Sequence, residues 1–294
     1  MGAGWTGQHI RPGRRVETAT SLQAPADPHD LLAGVGTARS AAALTEVLEL
    51  AGFVAAPEEA AELIDAAAGD ASRLDALVAR RLTGEPLAWI TGRTRFCGLD
   101  LRVDPGVYVP RWQTEIMARR ALERLPRDGL AVDLCTGCGA IAAVLAAGRP
   151  GARVVATDID ERAVACARAN GVDAHTGDLF DGLPPDVRRP GSVDLVVAVV
   201  PYVPTPVLPL LARDTLAFES AAAYDGGPDG TDLLRRVVAG APVVMRQGGA
   251  LVLELGGDEA DLIVGDLAAA GFAEVAILTD EDGDVRGIDA TLSR

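Results

Sequence analysis

The chain has 294 residues, room for one large domain or two modest ones, and its 49% hydrophobic and 23% charged residues are typical of a globular protein. Its formal net charge of −15 disfavours general binding to DNA or RNA, because an acidic surface repels phosphate backbones. No stretch reaches the roughly 18 apolar residues that a membrane span needs, and the N-terminus lacks an apolar signal core, so we expect a cytoplasmic protein without nucleic-acid or membrane partners.

The N-terminal part is predicted to be helical. Residues 1–27 show no periodicity and are interpreted as a flexible tail, and residues 28–84 as a small helical domain. Pro57 followed by two glutamates is a typical helix start. Apolar residues recur with helical spacing and form a stripe of Leu44, Leu48, Leu50, Val54, Ala60, Leu63, Ile64, Leu74, Leu77 and Val78.

Two further segments complete the predicted organisation. Residues 85–108 are expected to form a β-hairpin linker, because the stretch from Leu87 to Val103 alternates and contains two glycines. In residues 109–294 buried-type strands alternate with helices, which predicts an α/β fold with a doubly wound, Rossmann-like parallel sheet. The predicted strands are 131–134, 153–157, 193–200, 250–254 and 274–279, and the predicted helices are 140–147, 160–170, 232–241 and 258–270.

Three motifs follow successive strands and predict a nucleoside cofactor. The loop Asp133-Leu-Cys-Thr-Gly-Cys-Gly139 lets the backbone turn tightly and brings a ligand to a helix N-terminus. Asp158 can accept both hydroxyls of a ribose, and Asp178 can accept from an adenine amine. The loop lacks the G-x-G-x-x-G form of a dinucleotide site. The order of the three motifs along the chain therefore favours S-adenosylmethionine (SAM) as the cofactor, with S-adenosylhomocysteine as product. The predicted cofactor residues are Asp133, Cys135, Thr136, Gly137, Cys138, Gly139, Ile141, Asp158, Ile159, Asp178 and Leu179.

Three further motifs carry a resemblance to a known family. They are Gly84-Glu-Pro-Leu-Ala-Trp-Ile-Thr-Gly92, Val109-Pro-Arg111 with Thr114-Glu115, and Tyr224-Asp-Gly-Gly-Pro-Asp-Gly230. They resemble the linker, the P-R-x-x-T-E segment and the D-G-G-x-D-G motif of the PrmC/HemK protein-(glutamine-N5) methyltransferases, which methylate the GGQ-loop glutamine of peptide chain release factors. The resemblance implies a class I methyltransferase domain with a seven-stranded sheet, an N-terminal helical domain and a hairpin linker. It also implies cofactor contacts from Arg111, Thr114, Glu115 and Val199.

The chain departs from that family at the substrate motif. The family's N-P-P-Y reads Val199-Val200-Pro201-Tyr202 here, and the Val199 side chain has no oxygen to accept an amide hydrogen. An amide nitrogen is a poor nucleophile because its lone pair is delocalised, so the loss removes both a hydrogen bond and alignment. The family's common Pro-Glu is replaced by Trp112-Gln113, which adds a large flat apolar surface.

These departures lead to a hypothesis about the substrate. We expect in-line methylation of a small aromatic or heteroaromatic molecule of specialised metabolism, such as antibiotic biosynthesis, in an apolar cavity. The predicted catalytic motif is Val199, Val200, Pro201 and Tyr202, the predicted substrate residues are Trp112, Gln113, Tyr202 and Glu219, and the candidate general bases are Glu219, Asp225 and His175. One alternative is glutamine methylation of a release factor, and another is a catalytically inactive SAM-binding module.

Cys135 and Cys138 form a C-x-x-C pair beside a strand–helix junction, the spacing of a redox motif. The family places small residues at these two positions, and we interpret both cysteines in that way. No second C-x-x-C or histidine cluster is present to complete a zinc site, so no metal is expected.

Overall fold

The computed structural model describes residues 40–211 and 217–293. The chain divides into two compact units between Ala60 and Ala61. The predicted tail, residues 1–27, lies outside the described residues, and the domain boundaries at residues 84 and 108 stay predictions. None of the helices in the described ranges has the length and apolar content needed to cross a bilayer.

Three helices open the described chain: α1 (Ala41–Leu50), α2 (Ala56–Ala67) and α3 (Ala71–Leu82). The predicted apolar stripe is wrong at two positions, since Leu50 and Val54 are 63% and 102% exposed. Leu50 lies only two residues after the buried Leu48, which turns it to another side of α1, and Val54 lies in the turn that follows.

The predicted hairpin linker begins as a helix. Leu87–Thr91 forms α4, and the hairpin consists only of β1 (Arg93–Phe96) and β2 (Leu99–Arg102). Trp89 is buried on α4, and its indole N–H donates to the Val107 carbonyl at 2.9 Å. The partners of this bond are eighteen residues apart, so local alternation does not reveal the contact.

The remaining chain forms a seven-stranded sheet in the order β5-β4-β3-β6-β7-β9-β8. The first five of these strands are mutually parallel, and β9 pairs antiparallel with both β7 and β8. The strands are β3 (Leu130–Leu134), β4 (Arg153–Asp158), β5 (Asp173–Thr176), β6 (Val193–Ala198), β7 (Met245–Glu254), β8 (Phe272–Thr279) and β9 (Val285–Leu292). The helices are α5 (Glu115–Arg124), α6 (Ala140–Gly148), α7 (Glu161–Ala169), α8 (Asp232–Val244) and α9 (Gly257–Ala269). The predicted Rossmann-like α/β fold is therefore confirmed.

Alternate residues of the central strands separate two hydrophobic layers. Ala131 and Leu195 face one layer, whereas Val132 and Val196 face the other. Helices α5, α6 and α7 pack in the first layer with the β1–β2 hairpin, and α8 and α9 pack in the second. Strands buried on both faces are predominantly apolar, which explains the apolar runs of the central strands.

Candidate functional site

A cavity of about 690 Å³ lies at the carboxyl ends of the parallel strands. The sheet order places β4, β3 and β6 side by side, so the segments that follow them meet at one edge. The structure brings most of the predicted site residues together in the cavity wall: Arg111, Gln113, Thr114, Asp133, Cys135, Thr136, Gly137, Cys138, Ile141, Asp158, Ile159, Asp178, Leu179, Val199, Val200, Pro201, Tyr202 and Glu219.

Asp133 joins the end of β3 to the start of α6. Its Oδ2 accepts from the Thr136 hydroxyl at 2.7 Å and from the Ala142 N–H at 3.1 Å, and only 2% of the residue is exposed. Burial raises the pKa of this carboxyl to about 7. Asp133 therefore fixes the shape of the loop around Gly137, where the backbone adopts a left-handed φ of 57°.

Asp158 connects the second predicted motif to the first. Its Oδ2 accepts from the Gly137 N–H and its Oδ1 from the Asp160 N–H, each at 2.9 Å. Burial raises the pKa of the Asp158 carboxyl, and backbone hydrogen bonds partly oppose that shift. A glycine loop held against a carboxylate in a cavity fits the ribose and amino-acid parts of SAM.

The third motif forms another part of the cavity wall. Leu179 is buried, with a left-handed φ of 49°, and its carbonyl accepts from the Thr157 hydroxyl at 2.9 Å. The Asp178 carboxylate accepts from Arg236 on α8, with 2.8 Å between Nη2 and Oδ2. Arg236 also lines the cavity, so the predicted adenine acceptor already has a cationic partner.

Three predicted site residues lie outside the cavity wall: Trp112, Glu115 and Gly139. Trp112 is 68% exposed, and Glu115 accepts from the Cys97 N–H at 2.7 Å. Gly139 has a packing role, because a Cβ there would lie 2.9 Å from the Val172 side chain. The predicted border of the cavity is therefore wrong at Trp112, whose ring faces solvent.

A polar cluster lines the part of the wall near Arg111. The Arg111 Nη2 donates to the Tyr224 hydroxyl at 2.8 Å and to the Glu219 carboxylate, and Tyr224 donates to the same carboxylate. Glu219 is only 4% exposed, and its Oε1 accepts from the Val109 N–H at 3.1 Å. The Tyr108 ring lies 5.1 Å from the Arg111 guanidinium, and burial raises the pKa of Tyr108 to about 12. Since both Glu219 oxygens are hydrogen-bonded, this carboxylate is an organising group.

The motif Val199-Val200-Pro201-Tyr202 follows β6 directly. The strand ends at Ala198, two residues before its predicted end, and Pro201 has no N–H to continue the ladder. Tyr202 lines the cavity, and its hydroxyl donates to the buried Glu254 at 3.3 Å. Burial raises the pKa of both groups, which keeps the phenol protonated.

Two candidate bases stand apart from the cavity wall. His175 lies on β5, with its Nε2 2.9 Å from the Asp173 carboxylate, and Asp225 accepts from the Thr205 hydroxyl at 2.6 Å. Neither lines the cavity in the described part of the chain.

The cysteine pair faces an environment that suppresses thiol chemistry. Cys135 lines the cavity and Cys138 is buried, and burial raises the pKa of both thiols. A thiol held neutral is a weak nucleophile. Among the described residues, no group of three or more His, Cys, Asp or Glu side chains is arranged to hold a metal ion.

Sequence reasoning missed three residues of the cavity wall, Tyr108, Tyr224 and Arg236, and also Glu254, the hydrogen-bond partner of Tyr202. In the sequence, Tyr224 begins the glycine motif Tyr224-Asp-Gly-Gly-Pro-Asp-Gly230, and Tyr108 directly precedes Val109-Pro-Arg111. An ionisable or phenolic side chain next to a recognised site motif is the signal that could have found both tyrosines. Arg236 lies within a helix and Glu254 ends a strand, and neither position carries a local signal of function.

Comparisons with known proteins agree with this geometry. A domain family described as "Methyltransferase small domain" matches residues 99–198. The release factor glutamine methyltransferase of Moorella thermoacetica is 41% identical over 234 residues, covering 76% of this chain and 79% of the relative. That of Geobacter sulfurreducens is 38% identical over 213 residues, covering 70% and 73%. That of Bradyrhizobium diazoefficiens is 33% identical over 298 residues, covering 98% and 95%.

These relatives overturn the expectation of a small aromatic substrate. The hypothesis of specialised metabolism, with antibiotic biosynthesis and a small-molecule partner, is wrong. It treated the substrate side as apolar and aromatic around Val199 and Trp112, whereas Trp112 faces solvent and Arg111, Glu219 and Tyr224 make part of that wall polar. The chain belongs to the release factor glutamine methyltransferase (PrmC/HemK) family and is a SAM-dependent methyltransferase.

Proposed function

We propose that this protein transfers the methyl group of SAM to the amide nitrogen of the GGQ-loop glutamine in a peptide chain release factor. The observation that carries this proposal is the identity of 33–41% to release factor glutamine methyltransferases over most of the chain. The cavity supports it, because a polar cluster suited to an amide lies in the same wall as the motif that follows β6.

The cofactor residues we propose are those that line the cavity at the carboxyl ends of β3, β4 and β5. Asp158 would accept the ribose hydroxyls, and Asp178 and Leu179 would hold the adenine. The loop at Gly137 would lie against the amino-acid end, where the first-turn N–H groups of α6 attract a carboxylate. A Cβ at Gly137 would project to 4.0 Å from the Tyr108 carbonyl, so the glycine leaves this cradle open.

Methyl transfer places simple demands on the protein. Bound SAM supplies an electrophilic methyl group: the S–C bond breaks with its electron pair left on sulfur, and an N–C bond forms. The methylated amide nitrogen then loses a proton, and because a protonated amide is a strong acid, water can accept it. The protein must therefore align the nitrogen and keep water from competing as the nucleophile for the methyl group. A strong base is not required.

The substrate motif contributes shape and backbone acceptors. We propose that Val199, Val200 and Pro201 present backbone carbonyls to the amide hydrogens, and that the Tyr202 ring packs beside the glutamine side chain. Tyr202 is held in place by its bond to Glu254. The backbone carbonyls retain one part of the amide recognition that the family resemblance implies. The other part, a side-chain oxygen from the asparagine that Val199 replaces, must come from another group.

The test is a labelling experiment with the full chain. The protein is incubated with methyl-labelled SAM and a release factor, and peptide mass spectrometry locates the label. We expect one methyl group on the GGQ glutamine, and none on a release factor whose GGQ glutamine is replaced by alanine. A wild-type protein that binds SAM but leaves this glutamine unlabelled would refute the proposal.

A further inference from the structure

A partly buried network, centred on the buried Glu219, fixes the Tyr224 side chain in the cavity wall. Its hydroxyl donates to the Glu219 carboxylate and accepts from Arg111 at 2.8 Å. Glu219 is itself immobilised, because its other oxygen accepts from the Val109 N–H at 3.1 Å. The Tyr224 ring also packs edge-on against the Tyr108 ring, with 5.7 Å between centroids.

The Tyr224 backbone is bonded directly to the segment that carries the substrate motif. The Val203 N–H donates to the Tyr224 carbonyl at 2.8 Å, and the Gly226 N–H donates to the Val203 carbonyl at 2.9 Å. Val203 immediately follows Tyr202, so these two bonds hold Tyr224 next to the motif in which Val199 lacks an oxygen. Both Tyr224 and Val199 line the same cavity.

From this placement we infer that the Tyr224 hydroxyl oxygen is the side-chain acceptor for one hydrogen of the substrate amide, the contact that Val199 does not supply. The inference rests on the proposed function and names the group that aligns its nucleophile. The Tyr224 hydroxyl donates to Glu219 and accepts from Arg111, and a phenol oxygen has the capacity to accept one further hydrogen bond. Burial raises the pKa of Tyr224, so the phenol remains protonated and keeps this orientation at neutral pH.

Three other polar groups in the wall are less suited to this role. Both Glu219 oxygens already accept hydrogen bonds. The Tyr202 hydroxyl is held by one hydrogen bond of 3.3 Å to Glu254, whereas two partners, Glu219 and Arg111, fix the Tyr224 hydroxyl. Gln113 lines the cavity and carries an amide oxygen, but no hydrogen bond fixes its side chain among the described residues. A pre-oriented acceptor aligns a nucleophile better than a mobile one.

Glu219 has a positioning role in this arrangement. Its carboxylate accepts from both the Tyr224 hydroxyl and the Arg111 guanidinium and so fixes the orientation of the Tyr224 hydroxyl. Glu219→Gln would keep the shape of the side chain but offer only one acceptor oxygen. We expect this variant to share the defect of a Tyr224 variant.

The experiment combines Tyr224→Phe with Val199→Asn in a double-mutant cycle, using the labelling reaction on a release factor. We expect Tyr224→Phe to lower kcat/KM by about 10- to 100-fold, the effect of one lost hydrogen bond to the reacting group. In the Val199→Asn background, which regains a side-chain acceptor, the same change should lower kcat/KM by less than about 3-fold. The SAM dissociation constant, measured by calorimetry, should be unchanged in Tyr224→Phe.

The outcomes separate the possible explanations. An equal loss in both backgrounds would mean that Tyr224 is structural, and a matching loss of SAM affinity would mean that it acts through Arg111 on the cofactor. A defect in Gln113→Met but not in Tyr224→Phe would assign the acceptor to Gln113. Wild-type methylation with full activity in Tyr224→Phe would overturn the inference and leave the proposed function standing. A wild-type protein inactive on the release factor would overturn both.

Discussion

The Gly137 N–H donates to the Asp158 carboxylate at 2.9 Å and so ties two separate sequence motifs into one surface. The other Asp158 oxygen accepts from the Asp160 N–H at the start of α7. One carboxylate therefore sets the position of the glycine loop and of the β4–α7 turn, the two sides of the cavity that we assign to SAM.

Asp158→Ala is expected to weaken SAM binding by about 10- to 100-fold, because it removes charged acceptors from both the loop and the ligand. Asp158→Asn should show a smaller loss, since an amide retains one acceptor oxygen. Isothermal titration calorimetry with SAM measures both. Asp186→Ala, which removes an exposed carboxylate paired with Arg153, serves as the control and should bind SAM normally. Normal affinity in Asp158→Ala would contradict the assignment.

The Asp133 carboxyl predicts an unusual pH dependence of stability. Burial raises its pKa to about 7, above the roughly 3.9 of an unfolded chain, so the folded state binds the proton more tightly. Its contribution to stability is then greatest below pH 4 and is lost as the pH rises toward 7. From pH 5 to 8 this group alone should lower the free energy of unfolding by about 3 kcal/mol.

Asp133→Asn is the matched variant, because an amide oxygen can still accept from Thr136 and Ala142. Urea unfolding at several pH values should show a flatter profile for Asp133→Asn than for the wild type between pH 5 and 8. Parallel profiles for the two proteins would show that Asp133 titrates outside this range.

The ion pair between Arg236 and Asp178 leads us to expect that an Arg236 variant loses SAM affinity only through the adenine end of the cofactor. Their ion pair is half exposed, so we expect Arg236→Met to weaken SAM binding by only about 2- to 5-fold. A SAM analogue without the adenine amino group should bind the wild type and Arg236→Met equally. Such an analogue has no N–H that could donate to the Asp178 carboxylate.

Arg235→Met is the control, since Arg235 is the neighbouring residue on α8 but pairs with Asp229 and Asp266 away from the cavity wall. It should leave the affinity for SAM unchanged. Equal losses for SAM and the analogue in Arg236→Met would show that Arg236 acts on another part of the cofactor.

Local patterns were sufficient for five of the seven strands and for the loop at Asp133. Those five strands contain apolar runs, and the loop's glycines and carboxylate are adjacent in sequence, whereas β5 and β9 lack such a run. The helix α4 and the polar cluster were not predictable in this way. Trp89 is fixed by a residue eighteen positions away, and Arg111 meets Tyr224 across 113 positions. The substrate was misjudged for the same reason: Val199 was visible in the motif, whereas the polar wall is assembled only by folding.

A second long-range contact, the ion pair between Asp289 and Arg120, is expected to stabilise the fold. Asp289 on β9 is almost fully buried, and it accepts from Arg120 on α5 at 2.6 Å and lies 3.4 Å from Arg124. The Arg120–Asp289 pair ties α5 to β9, the strand that lies between β7 and the edge strand β8. Arg120→Met would leave the carboxylate buried with one distant cation, and an unpaired buried charge is strongly destabilising.

We expect Arg120→Met to lower the free energy of unfolding by about 2 kcal/mol, less than for a fully buried pair because Arg120 is one-third exposed. Arg119→Met on the same helix removes only an exposed pair with Glu115 and should change stability by less than about 0.5 kcal/mol. Urea unfolding of the three proteins at pH 7.5 measures the difference. Equal midpoints for Arg120→Met and Arg119→Met would mean that Asp289 is neutralised without Arg120, with Arg124 as the sufficient partner.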